Sequence, residues 1–205
     1  MILLFDTETT GKLDFKAGPD APQQPDIVQL AACLMDEKAD RVFGQINMII
    51  EPPNPEVPWI PDEVAKIHGI SDNIARTAGQ PRRTVLSAFN HMCKHADFLI
   101  AHNIDFDHPV MLTAYHREKA PHRMDHMRRV CTMKAATPVL KLPKPPGKWK
   151  PKPGDLYKWP TLTECHQHFF GIPFDGAHNA MNDVMAMAAV LRELIQVVPG
   201  LLKTA

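Results

Sequence analysis

Apolar and polar positions change rhythm along this chain, and each change marks a different kind of element. The opening Met1-Ile-Leu-Leu-Phe-Asp6-Thr-Glu8-Thr-Thr-Gly11 is an apolar run that breaks abruptly into two carboxylates and small hydroxyl residues. A short continuous apolar run bounded in this way predicts a buried strand over residues 2–6. Ile27–Met35 and residues 42–51 read as two more strands, joined by a polar turn at 36–40. A connection that short favours antiparallel pairing. Residues 12–26, between the first two strands, form a loop punctuated by Pro and Gly.

From residue 52 the period lengthens. Pro-rich text leads into a short helix, Asp62–His68, stopped by Gly69. Helical spacing over 82–95 places Val85, Leu86, Phe89, Met92 and Cys93 on one side. A short strand over 97–101, a helix over 108–118 and a strand over 128–132 follow. Thr161 predicts a helix cap, with Glu164 placed to complete a capping box, and that helix ends near Gly171. A last helix is expected over about 179–198. Segment 138–160 differs from all of these: it holds seven of the twenty prolines, six lysines, two Trp and a Tyr. Repeated Pro keeps it out of helix and sheet and biases it toward extended structure. The order of elements predicts an α/β fold, a mixed sheet with helices packed on it, as one domain spanning 1–205 with no internal repeat.

Composition narrows the class. A content of 44% hydrophobic and 22% charged residues suits a water-soluble globular chain. No apolar run approaches the length of a membrane span, and no signal-peptide pattern opens the chain, so a cytoplasmic location without membrane contact is expected. The 23 acidic and 23 basic residues cancel, which argues against coating nucleic acid by bulk charge. Cysteines 33, 93, 131 and 165 form no C-x-x-C pair, and the nearby histidines lack zinc-site spacing.

The carboxylates carry the chemistry. Residues two apart on a strand share a face, so Asp6 and Glu8 project together. At a buried strand's end they repel each other and lose hydration, a cost that a bound cation removes. Oxygen ligands favour Mg²⁺ or Mn²⁺ over zinc. Taken alone, the pair reads more readily as an acidic strand-to-loop transition. Asp107 is expected at a strand-to-helix junction, beyond the strand ends where ligand sites of open α/β sheets lie. Asn179 can cap the last helix, leaving His178 in the preceding loop and Asp183 at the border of the buried stripe. Each has a plainer alternative, Asp107 as a cap and Asp183 as a complement to the helix dipole.

In series, D-x-E at 6–8, H-N-x-x-F-D at 102–107 and H-x-A-x-x-D at 178–183 resemble the three exonuclease motifs of DnaQ-like 3′–5′ exonucleases, in their DEDDh variant. Ile67-His68-Gly69-Ile70, Cys131-Thr132-Met133 and Phe174-Asp-Gly-Ala-His178 agree with that family. The resemblance implies a ribonuclease H-like fold: a five-stranded sheet, three antiparallel strands then two parallel, flanked by helices. It also implies two divalent ions, Mg²⁺ or Mn²⁺, held by Asp6, Glu8, Asp107 and Asp183, with Asp6 bridging. Such ions stabilise charge on the attacking and leaving oxygens of a phosphodiester. His178 is implied as general base, a role suited to an imidazole near neutral pH. Thr7, Thr9, Thr10, His102, Asn103 and Phe106 are implied substrate contacts, a core role for Phe106 being equally open. Gln29 stands where many relatives carry Glu, and is expected to tune substrate contacts.

An exonuclease must hold single-stranded 3′ ends by stacking and phosphate contacts. The 138–160 segment is expected to act as a mobile basic flap beside the site. Lys148, Lys150 and Lys152 would meet phosphates, and Trp149, Tyr157 and Trp159 would meet bases; a solvated spacer is the competing reading. The implied substrate is a single-stranded or frayed DNA 3′ end, cut to nucleoside 5′-monophosphates. An RNA-trimming relative and a non-catalytic, polymerase-associated binding module are the alternatives. A polymerase or repair partner would be compatible with the first.

Overall fold

The computed structural model describes residues 1–145 and 156–203. A five-stranded sheet runs in the order β3-β2-β1-β4-β5, with β1 Ile2–Thr9, β2 Ile27–Met35, β3 Val42–Ile49, β4 Phe98–Ala101 and β5 Arg128–Cys131. The first three strands are antiparallel neighbours, and β4 and β5 join parallel to β1. Seven helices flank the sheet among the described residues: α1 Asp62–His68, α2 Asp72–Ala78, α3 Arg82–Cys93, α4 Ile104–Arg117, α5 Thr132–Leu140, α6 Leu162–Phe170 and α7 Ala180–Val197. This is the ribonuclease H-like arrangement. No described helix is long and apolar enough to cross a membrane.

The two-residue period of β1 divides the core. Leu3 and Phe5 enter one cluster with Leu30, Phe89, Met111 and Tyr115, under α3 and α4. Ile2 and Leu4 enter the other, with Ala31, Val184, Met187 and Leu191, under α7. Both faces of the central strands are therefore covered, which is why every residue of β2 is buried. Asp6 and Glu8 continue the Ile2–Leu4 face, so they lie on the α7 side of the sheet.

Several expected elements shift. β1 continues to Thr9, and β3 stops at Ile49, after which Ile50 bridges Gln80. The helix read over 108–118 begins a turn earlier, at Ile104, because Ile104 is buried and Phe106 packs on the core. Asp107 therefore sits inside the first turn and not at the junction. The extended reading of 138–160 fails at its start: residues 138–140 close α5, whose Ala136 is buried against Cys165 and Leu194. Pro138 lies near the C-terminal end of that helix and removes one hydrogen bond, which the packing offsets. Helix α2 has Ala75 as its one buried residue, so no apolar stripe betrays it; Ser71 caps it by accepting from the Ile74 amide. Gly79 ends it where a Cβ would meet the Ala75 carbonyl oxygen at 2.2 Å and the Glu51 nitrogen at 2.5 Å.

The loop after β1 is held by two knots. Gln24, buried, donates to the carbonyls of Asp14, Ala17 and Gly18 and accepts from the Asp14 amide. Asp26 accepts from Arg82 at 2.8 Å, from Arg117 and from the Trp59 indole at 3.1 Å. Arg117 also donates to the carbonyls of Gln24 and Pro25. One carboxylate thus ties the loop to α3, to α4 and to the chain before α1.

The Arg82 side chain is only 10% exposed and that of Asp26 16%, so removing the carboxylate leaves, among the described residues, Arg82 with Glu118 at 3.4 Å as its one acidic partner and Arg117 with backbone carbonyls alone. Asp26→Ala should lower unfolding free energy by about 3 kcal/mol, read as a lower urea midpoint. An unchanged midpoint would show that the network carries no net stability.

Candidate active site

Four carboxylates meet at the C-terminal end of β1. The parallel pairing of β1 with β4 covers Ile2 to Leu4 and goes no further. Beyond Ala101 the chain leaves the sheet through His102 and Asn103, the latter in the left-handed region at φ 76°. Asn is among the few residues that adopt this region cheaply. The turn swings α4 so that Asp107 takes the place beside β1 that β4 has vacated. The Thr7 amide donates to Asp107 Oδ1 at 3.2 Å, and the Thr7 hydroxyl donates to the same atom at 2.8 Å.

The fourth acid arrives from α7. Asn179 caps that helix by accepting from the Asn182 amide, as its sequence position predicts. Asp183 in the first turn faces the sheet, and its Oδ2 accepts the backbone N–H of His178 at 3.1 Å. Carboxylate oxygens of Asp6, Glu8 and Asp183 all lie within 4.8 Å of one another. Asp107, 3% exposed, stands outside this triplet, bound to Thr7. His178 is exposed at φ 67° on the loop that delivers α7.

Electrostatics follows from this crowding. Burial, then the charges of Asp107, Asp183 and Glu8, hold the Asp6 carboxyl well above the ordinary range. Burial raises Glu8 to about 7, with Asp183 and Asp107 adding to it. Burial also raises Asp107 to about 7, against the two Thr7 hydrogen bonds. Asp183 rises to about 6 by burial, moderated by the His178 amide. Among the described residues none of the four pairs with Lys or Arg. An all-oxygen cluster with this excess of desolvated negative charge fits hard divalent cations.

The other implied residues are less available. Thr7 is buried and holds Asp107. The Thr9 hydroxyl donates to the Gly11 carbonyl at 2.7 Å. The Thr10 hydroxyl accepts from the Asp26 amide and its backbone N–H donates to the Asp26 carbonyl. Phe106 packs on the core. Asn103 makes no side-chain capping bond. Both ring nitrogens of His102 have protein partners, Thr132 Oγ1 and the Pro160 carbonyl. Lys148, Trp149, Lys150 and Lys152 lie outside the described residues. Gln29 sits opposite Glu8 across β1 and β2. It is buried, donating to Asn47 Oδ1 at 2.8 Å and accepting from the Ala180 amide at 3.4 Å. That side chain positions the start of α7 and is buried between β3 and that helix. His68 gains a place that its motif alone does not specify. It is buried at the end of α1, its Nδ1 accepts the Ile70 amide, and burial lowers its pKa while His178 opposes its charge.

Comparison with known proteins agrees with this arrangement. Among curated proteins none matches the chain by sequence. Solved structures match it in fold. A zinc-bound exonuclease I–ssDNA complex from E. coli aligns with TM-score 0.70 at 21% identity, over 98% of this chain and 41% of that one. The E. coli enzyme with a dA16 oligonucleotide gives 0.72 at 20%, over 98% and 42%. A moderately thermophilic exonuclease I from Methylocaldum szegediense gives 0.69 at 21%, over 98% and 41%. The chain thus spans about two fifths of the length of these proteins. The RNase_T exonuclease profile matches residues 3–191, from the first strand through the last helix, and the chain belongs to this DnaQ-like 3′–5′ exonuclease family.

Proposed function

We propose that the chain is a metal-dependent 3′–5′ exonuclease of the DEDDh type that removes nucleoside 5′-monophosphates from single-stranded or frayed DNA. The observation that carries this reading is the triplet of Asp6, Glu8 and Asp183 oxygens within 4.8 Å, unneutralised by any described cation. Family membership and the ssDNA complexes of the structural neighbours support the substrate class. The two-metal assignment rests on the donor set: Asp6, Glu8 and Asp183, with Asp107 beside them, would hold two Mg²⁺ or Mn²⁺ ions. When bound, those ions supply charge stabilisation to the attacking and leaving oxygens.

The side chains divide the remaining work. His178 is the exposed group at the rim, able to take a proton from the attacking water and release it to solvent. Its backbone N–H, bound to Asp183, keeps the imidazole loop in register with the acids. Thr7 fixes the Asp107 rotamer. The direct test of the reading is a time course on 3′- and 5′-labelled DNA and RNA strands with Mg²⁺ or EDTA. Stepwise, Mg²⁺-dependent loss from DNA 3′ ends is expected. Preference for RNA would convert the assignment to an RNA-trimming enzyme, and inertness would leave a binding module.

Asp6→Ala and Asp183→Ala should each abolish cleavage by several orders of magnitude. Near-normal metal-dependent activity in Asp6→Ala would sink the site assignment.

The same acids make stability pH-dependent in a defined direction. Glu8 moves from 4.5 to about 7 and Asp183 from 3.8 to about 6 in the fold. A raised folded pKa contributes stability that is fully present below the unfolded value and is lost as pH rises through the folded one. Metal-free protein should therefore lose this contribution between about pH 4 and 7. Glu8→Gln should raise its Tm at pH 7.5 and change it little at pH 4. Divalent ions should raise Tm more at pH 8 than at pH 6, since protons compete for the same oxygens. A metal-induced shift independent of pH would contradict the titration argument.

His178→Ala should lower the single-turnover rate by roughly 10²–10⁴-fold with little change in strand affinity. An unchanged single-turnover rate would return His178 to a structural role.

A further inference from the structure

The Pro- and Lys-rich segment returns to the described fold in a fixed conformation. His102 is the first residue beyond β4, and Pro160 is held to it: His102 Nε2 lies 3.0 Å from the Pro160 carbonyl, and its Nδ1 lies 3.0 Å from Thr132 Oγ1. Burial lowers the His102 pKa, so the ring is neutral at pH 7. The carbonyl can only accept, so Nε2 carries the proton and donates to it, and Nδ1 accepts from the Thr132 hydroxyl. One ring thereby joins the end of β4, the start of α5 and Pro160.

Two more fastenings follow. The Lys158 amide donates to the Leu142 carbonyl at 3.0 Å, and the Lys158 ammonium pairs with Glu164. Glu164 in turn accepts the Thr161 amide at 2.8 Å in the capping box of α6. Residues 158–161 are thus fixed to β4, to the chain after α5 and to α6. Amid these anchors Pro160 is buried while Trp159 stays 57% exposed. Position gives that exposure meaning. β4 runs parallel to β1, so its His102 end lies at the sheet end that carries Asp6 and Glu8. Helix α6 packs on α7, whose first turn brings Asp183. A large aromatic is ordinarily covered in a folded chain; here it is presented to solvent on a braced backbone, at the end of the sheet that holds the acids.

We infer that Trp159 is a fixed stacking platform for an unpaired nucleobase of the substrate strand upstream of its 3′ end, with His102 the positioning residue that holds it. The inference rests on the exonuclease reading and deepens it. An indole on a braced backbone loses little freedom when a base stacks on it, and stacking tolerates any base sequence. It also narrows the flap expectation: at 158–160 the proposed contact is braced and aromatic.

The test is the affinity of a 5′-labelled dT12 strand measured by anisotropy in EDTA, where hydrolysis plays no part. Trp159→Ala should weaken binding about 5- to 150-fold, with Trp159→Phe restoring most of it. The slope of log affinity against log salt should be the same in both, because no phosphate contact is removed. His102→Ala should weaken binding similarly, His102→Gln should rescue it by donating to Pro160 and accepting from Thr132, and the double variant should be no weaker than the worse single one. In steady state the KM for the strand should rise with kcat within a few-fold, and KM for strand should rise more than KM for a nitrophenyl-TMP ester. Wild-type affinity in Trp159→Ala, a flattened salt slope, or an equal KM rise on the ester would overturn the platform. A wild-type chain that binds the strand but cleaves nothing with Mg²⁺ would instead refute the exonuclease reading and leave the binding result standing. A wild-type chain that binds no strand would refute both.

Discussion

The structure depends on one mismatch of length. β1 runs eight residues, and β4 beside it runs four. Were β4 as long, its backbone would occupy the flank of Thr7, where Asp107 now sits. Because it stops, the Thr7 amide needs another acceptor, and Asp107 supplies it. A backbone group left unpaired at 7% exposure would cost on the order of 1–3 kcal/mol. The bond that completes the sheet edge is therefore the one that brings the second motif's acid to the first motif's strand. Sheet termination and assembly of the site are a single event.

That economy leaves four carboxylates in a space that favours none of them ionised, and the surroundings offset the cost. Below the acids, the same face of β1 is wholly apolar under α7, with Ile2, Leu4, Val184, Met187 and Leu191 interdigitated. Around them, Gln29 joins β2, β3 and the first turn of α7 by two hydrogen bonds, and Asp26 binds the following loop to two helices. The acids cannot relax apart without breaking one of these. The acidic cluster is thus held open by apolar packing and amide bonds, which would not compete for a cation.

The sequence made some of this readable and hid the rest for identifiable reasons. Strand periodicity is local, so the shared face of Asp6 and Glu8 follows from their spacing alone. Caps are local too, which is why Thr161, Glu164 and Asn179 fall where their residue types predict. Asp107 was placed at a junction because its helix begins in polar text, and its true start depends on Ile104 reaching a core that only tertiary structure creates. Helix α2 has no stripe to read, and α5 runs into Pro138 against propensity because Ala136 and Met133 are buried. From sequence, Thr7 and His102 read as substrate contacts and Gln29 as a residue that tunes them. In the fold each bonds inside the protein, to partners 100, 18 and 58 residues away, and no local pattern discloses such pairings.

On the proposed reading, the contrast between His178 and the acids has a physical reason. Carboxylates bind a divalent ion more tightly where water is scarce, since desolvation strengthens each charge–charge interaction. The base proposed here, which would shed its proton after every turnover, needs water. The chain satisfies both by setting His178 five positions before Asp183. His178 stands exposed in the left-handed region, a conformation that costs a non-glycine residue about 1–2 kcal/mol, and the turn persists because its neighbours over-determine it. Its own N–H is bound to Asp183, Asn182 Nδ2 donates to the Gly176 carbonyl, and Asn179 caps the helix. Each of those bonds is to the first turn of α7, so the strained residue and the half-buried acid are tied to one element. Strain at the exposed base is then a consequence of anchoring it to a helix whose opposite face is buried against β1.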